Sequence, residues 1–318
     1  MKKKPLIILT GPTAVGKTKA SIGLAKAVDG EIISADSMQV YRHMDIGSAK
    51  IKPEEMEGIP HHLIDVLEPD DEFHVVKFQQ LAKKAMREIW ERGHIPIVTG
   101  GTGFYIQALL YDIDFDENEK EDACRKELEA YAREHGAEAL HEKLALVDPA
   151  SAEMIHPNNI KRVIRALEFY EQTGKRISEH NETQRQRESP YAFAYFVLTD
   201  DRAHLYERIN RRVDQMIEEG LVNEVQALKD KGYTKQLVSM QGLGYKEILD
   251  YLDGNCTLEE AIYTIKRDTR HFAKRQLTWF KRERDVIWLD KQAFGYDDAA
   301  ILTDMISILE EKEIISHE

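Results

Sequence analysis

The chain has 318 residues, enough for one large domain or two modest ones, and its 42% apolar and 32% charged composition is ordinary for a globular protein. No apolar run approaches the ~20 residues that cross a bilayer, and the apolar part of "MKKKPLIILTG" stops short of a signal-peptide core. A net charge of −13 argues against general nucleic-acid affinity, and two cysteines, Cys124 and Cys256, supply neither a disulfide framework nor a four-ligand zinc site. These features predict a cytoplasmic protein without a structural metal or membrane contact. Short apolar strands are predicted at 5–10, 31–35, 62–67 and 95–99, alternating with helices at 17–28, 74–92 and 103–111. That alternation marks a parallel sheet wound with helices. An acidic stretch at 112–122 ends it, and from there to about residue 188 the pattern is helical only. "AFAYFVLT" then reads as a strand rejoining the sheet, and "VIWLD" at 286–290 as a last strand beyond further helices. The predicted organisation is a core in two parts, 1–113 and 190–318, interrupted by a helical insertion over 114–189.

Charge is unevenly spread along these segments. Residues 112–129 carry nine Asp/Glu against three Lys/Arg, whereas 266–284 carry eight Lys/Arg against two Asp/Glu. Residues 161–187 hold seven basic against four acidic side chains. Basic faces on an acidic protein suit a selective anionic polymer, and they equally suit a solvated helix surface.

The most specific local chemistry is "GPTAVGKT" at 11–18, which fits G-x-x-x-x-G-K-S/T between the first strand and the first helix. Gly11 and Gly16 permit positive φ around the loop of Pro12, Thr13, Ala14 and Val15. Backbone N–H groups and the helix N-terminus then face an anion, Lys17 adds a point charge, and Thr18 offers a hydroxyl to Mg²⁺. The loop is expected to hold a polyphosphate or diphosphate. With the strand pattern it predicts an α/β, P-loop NTPase-like parallel sheet core carrying an all-helical insertion domain.

Other constellations are less decided. Asp36 and Ser37 follow a strand, where Asp36 can act as general base across the crevice or simply cap a turn. Thr102 in "IVTGGTGFY" can bind a phosphate or reacting amine, or cap a helix. Thr99 stands where a nucleotide-hydrolysing protein usually carries a metal-holding Asp, and no N-K-x-D is present, which disfavours a motor or switch GTPase. His61 and His62 lack a further ligand set and are assigned to packing. Arg208 and Arg212, four apart, share a helix face with Arg211 nearby; they can serve a diphosphate or pair with carboxylates.

Over essentially its whole length the chain resembles the bacterial tRNA dimethylallyltransferases, also called tRNA isopentenyltransferases. The matching stretches are "GPTAVGKT", "ADSMQVYRHMDIGSAK", "PHHLID", "GGTGFY", "HPNNIKRVIRALE", "RRVDQMIEEGLVNEV", "GLGYKE" and "RHFAKRQLTWF". The resemblance implies transfer of a dimethylallyl group from dimethylallyl diphosphate to N6 of the adenosine 3′ of the anticodon in tRNA. Lys17, Asp36 and Thr102 would then be catalytic, with Asp36 accepting the proton. Gly11, Pro12, Thr13, Ala14, Val15, Gly16, Lys17, Thr18 and Arg212 would hold the diphosphate, and Thr18 the Mg²⁺ cofactor. Asp36, Ser37, Met38, Gln39, Thr102, Arg125, Lys161, Arg162, Val163, Ile164 and Arg165 would contact tRNA. The acidic loop before Arg125 departs from the family pattern in length and sequence. The resemblance further implies a monomer with no obligate protein partner. The competing readings are a small-molecule kinase, a prenyltransferase acting on free adenine nucleotides, and a non-catalytic RNA-binding module.

Overall fold

The computed structural model describes residues 3–115 and 121–316. The chain forms two compact units, Met1–Leu110 with Pro190–Glu318, and Tyr111–Ser189. The first unit is built on a six-stranded parallel sheet of order β3-β2-β4-β1-β5-β6. Its strands are β1 (Lys4–Thr10), β2 (Gly30–Ser34), β3 (His61–His62), β4 (Ile95–Gly100), β5 (Tyr191–Thr199) and β6 (Val286–Asp290). Parallel neighbours demand helical crossovers that cover both faces, so a central strand reads as one continuous apolar run. β1 does: Leu6, Ile7, Ile8 and Leu9 are all buried, with Ile7 opposite Ile97 on one side and Ala194 on the other.

Ile7 and Leu9 pack with Ile22, Leu24 and Ala25 of α1 (Lys17–Ala27) and with Ile301, Met305 and Leu309 of α12 (Asp298–Glu311). Alternation turns Leu6 and Ile8 to the opposite face. α2 (Val75–Glu91) packs against β2 and β4 and buries Phe78, Ala82, Met86 and Ile89. α3 (Gly103–Leu110), α8 (Arg202–Glu218), α9 (Leu221–Asp230), α10 (Tyr245–Leu252) and α11 (Leu258–Phe280) complete the unit. β1 is flanked by β4 and β5, so the loops leaving β1, β2 and β4 gather beyond one end of the sheet, where ligands of such folds bind.

The predicted strand at 62–67 is a correction. Only His61 and His62 pair with β2, because Leu63 (φ 64°) and Asp65 (φ 55°) take left-handed backbone that a strand cannot hold. The segment turns instead, and the Asp65 carboxylate accepts from Lys50 Nζ at 2.5 Å.

The second unit holds α4 (Glu121–Val147, broken at Gly136), α5 (Pro149–Met154), α6 (Ile160–Thr173) and α7 (Ile177–Gln186). Its core is Leu128, Leu140, Leu144, Ala152, Val163, Ile164, Ala166 and Leu167. Asp148 is buried there, and its carboxylate accepts from the N–H and hydroxyl of both Ser151 and Ser178. Burial pushes this carboxyl upward, but the four donors outweigh it and hold the group below the usual value. One side chain thereby ties the starts of α5 and α7 together.

Candidate active site

The phosphate loop is fixed from both ends. Thr10 closes β1 by donating its hydroxyl to Gly100 O at 2.5 Å. Gly16, at φ 103°, caps α1 with no side-chain hydrogen bond. Only glycine takes that backbone at little cost, and an uncapped N-terminus leaves its N–H groups for an anion. Lys17 folds back across the loop, donating to Gly11 O at 3.0 Å and Pro12 O at 2.8 Å. From α8, Arg208 Nε braces the loop through Ala14 O at 2.8 Å.

Beyond the loop lies a cleft of about 560 Å³. It is lined by Thr13, Lys17 and Thr18 of the loop and first helix, by Asp36, Gln39 and Ser48, and by Arg208, Arg211 and Arg212 of α8. Burial pushes the Lys17 ammonium down to about 7; the positive charge of Arg212 adds to this, and Asp36 opposes it. Arg212 is lowered for the same first reason, burial, with Arg208 adding repulsion and Asp36 again opposing. Two half-buried cations therefore have Asp36 as the carboxylate acting on both. A bound anion would supply the charge balance that Asp36 alone does not give these two cations.

The family assignment rests on how the chain aligns with known proteins. Residues 39–283 match the family model described as IPP transferase. The chain belongs to the IPP transferase family. Residues 4–68 also match a model described as isopentenyl transferase. The tRNA dimethylallyltransferase of Lachnoclostridium phytofermentans is 65% identical over 312 residues, covering 98% of this chain and 99% of that protein. The tRNA isopentenylpyrophosphate transferase of Bacillus halodurans superposes with a TM-score of 0.74 at 49% identity, covering 98% of both chains. A eukaryotic dimethylallyltransferase acting on tRNA superposes with a TM-score of 0.83 at 31% identity, covering 99% of this chain and 81% of its own. The resemblance carried by "DSMQVYRHMDIG" and "HPNNIKRVIRALE", and the fold it implied, are borne out.

In this IPP transferase the residues singled out from sequence fall into three places. Lys17, Thr18, Asp36, Gln39 and Arg212 all line the cleft. Asp36 does so while its Oδ1 accepts the Met38 N–H at 2.8 Å, so it caps a turn and faces the cations at once. Gln39 is occupied: Oε1 accepts from the Ser34 hydroxyl at 3.0 Å, and Nε2 donates to Ala49 O at 3.2 Å. Met38 packs its methyl over Gly242. Thr102 lies next to the cleft wall at Gly101, its N–H donating to Ala35 O at 3.3 Å. Ser37 is half-buried beside Asp36.

A third group belongs to the insertion and is placed within that unit alone. Val163 and Ile164 are in its core, 0% and 3% exposed, so their side chains face inward and the outer face of α6 carries Lys161 and Arg162, with Arg165 half-buried. Arg125 donates to the buried Glu168 at 2.9 Å. His61 and His62 have the packing roles expected of them, bonding Ile59 O and Glu31. Thr99 donates its hydroxyl to Leu9 O at 2.9 Å and serves the sheet.

Sequence reasoning missed two residues. Gln276 on α11 bonds Thr13 N–H and Gly101 O, both at 2.9 Å. Glu224 on α9 accepts from the N–H groups of Asp45, Ile46 and Gly47 and from the Tyr245 hydroxyl, shaping the turn before Ser48. Each sits inside a stretch noted for the family, "RHFAKRQLTWF" or "RRVDQMIEEGLVNEV", yet nothing in its own neighbourhood marks it.

Proposed function

We propose that this protein transfers a dimethylallyl group from dimethylallyl diphosphate to the exocyclic N6 of the adenosine 3′ of the anticodon in tRNA, releasing diphosphate. The observation that carries the reading is one cleft lined by a carboxylate, Asp36, and two half-buried cations, Lys17 and Arg212, in a member of the IPP transferase family. As the allylic C–O bond breaks, its electron pair passes to the diphosphate, and Lys17, Arg212 and the loop N–H groups stabilise that charge where it develops. N6 forms the new bond to carbon, and Asp36 accepts the proton it sheds; a modest base suffices, because the amine becomes acidic only as the bond forms.

Mg²⁺ fits here with Thr18 as its protein contact, since this ion commonly takes one or two protein ligands and completes its shell with phosphate oxygens and water. When bound it would neutralise further charge on the leaving group. A substrate base must leave its stack, which favours a single-stranded loop of tRNA over a duplex. Acting on tRNA, the protein would work in the cytoplasm.

The test is purified protein with Mg²⁺, unmodified tRNA and dimethylallyl diphosphate, with product nucleosides read by mass spectrometry. Prenylated adenosine in the anticodon loop without ATP is expected. Turnover only after ATP is added would instead indicate a kinase, and product only with free adenine nucleotides would move the acceptor from tRNA to small molecules.

A further inference from the structure

We propose that Gln276 is a positioning residue, whose buried amide sets the separation between the diphosphate-holding loop and the strand end that carries Asp36. The inference rests on reading the cleft as a site for a diphosphate and an acceptor base.

Gln276 lies near the C-terminal end of α11, only 6% exposed. Its Oε1 accepts from the N–H of Thr13, inside the phosphate loop, at 2.9 Å. On the same amide, Nε2 donates to Gly101 O at 2.9 Å, in the turn after β4. Thr13, Gly101 and Gln276 itself all line the cleft. The turn is in turn bonded to the end of β2: Ala35 N–H donates to Thr99 O at 2.7 Å, and Thr102 N–H donates to Ala35 O at 3.3 Å. Asp36 is the next residue. Every link from Thr13 to Asp36 is therefore a hydrogen bond or a short run of backbone.

The approach is close enough to dictate the sequence. A side chain at Gly101 would place its Cβ 2.0 Å from Gln276 Nε2, so the turn is bare where the amide crosses. The bridge needs an acceptor and a donor on one rigid planar group, and the glutamine amide supplies both from a single side-chain end. Thr10 ties the end of β1 to Gly100 O before the loop begins, and within the loop Arg208 binds Ala14 O and Lys17 binds Gly11 O and Pro12 O. Neither Arg208 nor Lys17 bonds the turn after β4, so Gln276 is the side chain that ties the interior of the loop to it. Gln276 joins the two halves of the reaction geometry, leaving-group grip and proton acceptor.

Group transfer is sensitive to such spacing, a displacement of ~1 Å being worth about a hundredfold in rate. Two substitutions in the full-length protein separate this role from simple packing. Gln276→Met keeps the volume and removes both hydrogen bonds. It is expected to lower the single-turnover rate about ten- to a hundredfold, with dimethylallyl diphosphate and tRNA affinities within about threefold of wild type, since the loop's own anion contacts remain. Gln276→Glu keeps the acceptor for Thr13 N–H but sets a carboxylate oxygen against Gly101 O. Protonation restores a donor at that oxygen, so the ratio of variant to wild-type rate should rise as pH falls. Taking the ratio cancels the titrations of the rest of the cleft.

A folded Gln276→Met protein with a wild-type single-turnover rate would overturn the proposal. So would a Gln276→Glu ratio flat in pH, and this second variant decides the matter if the first does not fold. Wild-type protein that transfers no prenyl group overturns the functional reading instead, so the two failures are distinct.

Discussion

The two units each bury charge, and they treat it in opposite ways. In the insertion, the Asp148 carboxylate receives four donors from Ser151 and Ser178, so its charge is fully spent on holding two helix starts together. In the core unit, Lys17 and Arg212 are half-buried at the cleft with Asp36 the carboxylate that opposes the shift of both, and both are shifted toward losing their protons. A buried charge with its partners supplied is architecture. One left short of partners is a binding site, and the missing stabilisation arrives with the ligand.

The sharpest way to break that comparison is Lys17→Met. Loss of one charge-stabilising donor should cost about 3–4 kcal/mol in the chemical step, roughly 10²–10³ in single-turnover rate. The same substitution should leave the thermal midpoint unchanged or higher, because folding no longer has to desolvate that cation. A calorimetric melt showing a large loss of stability would place Lys17 with Asp148 as an architectural group.

Asp148→Ala should do the reverse, costing about 3 kcal/mol of stability through orphaned buried donors, while diphosphate affinity in the core stays unchanged. Chemical denaturation with fluorescence, beside ligand titration, measures both. The pH dependence has a definite sign. A carboxyl held below its ordinary value of 3.8 stabilises the fold fully above that pH, and the contribution is lost as pH falls through the lower, folded-state value. Unfolding at acid pH should therefore be less steep in the alanine variant.

Lys17 gives a third prediction near neutrality. With the free-site value about 7 and an anion raising it on binding, diphosphate affinity should be flat below that pH. Above it, affinity should fall, by at most about tenfold per pH unit, as the free ammonium loses its proton. Isothermal calorimetry in buffers of different ionisation enthalpy should detect proton uptake on binding above pH 7 and little below it. Equal heats in all buffers throughout would contradict the shift.

The smallest expected effect lies on α6. Arg162→Ala with Arg165→Ala should weaken tRNA binding and reduce its salt slope by about one unit per lost phosphate contact, leaving diphosphate affinity nearly intact. Titrations at several salt concentrations read it, with a circular-dichroism melt to establish folding. A wild-type slope would assign this face of α6 to scaffold.

What could be read from the chain follows from the range of the interactions. The strand–loop–helix around Lys17 is local, so its shape was legible in "GPTAVGKT" and its flanks. Asp36 was legible as a strand-end carboxylate, although whether it capped a turn or faced the site was left open; it does both. Gln276 was not legible, since its partners Thr13 and Gly101 stand far off in sequence and a glutamine within a helix carries no mark of them. Arg208 was left between a diphosphate and a carboxylate, and its observed Nε partner is the Ala14 carbonyl. The strand predicted at 62–67 failed because hydrophobic pattern is blind to the positive φ of Leu63 and Asp65. Val163 and Ile164 came into the RNA-contacting stretch by adjacency to Lys161, and the 3.6-residue turn of the helix sends them inside.

The Glu224 carboxylate bears on the fold in a different sense. Three consecutive backbone N–H groups, those of Asp45, Ile46 and Gly47, converge on it. Convergent N–H groups are what captures phosphate oxygens in general, and these stand in the same unit as the loop at 11–18. Here a tethered acid fills that cradle, so the three N–H groups are spent on the chain's own carboxylate, which holds the turn before Ser48.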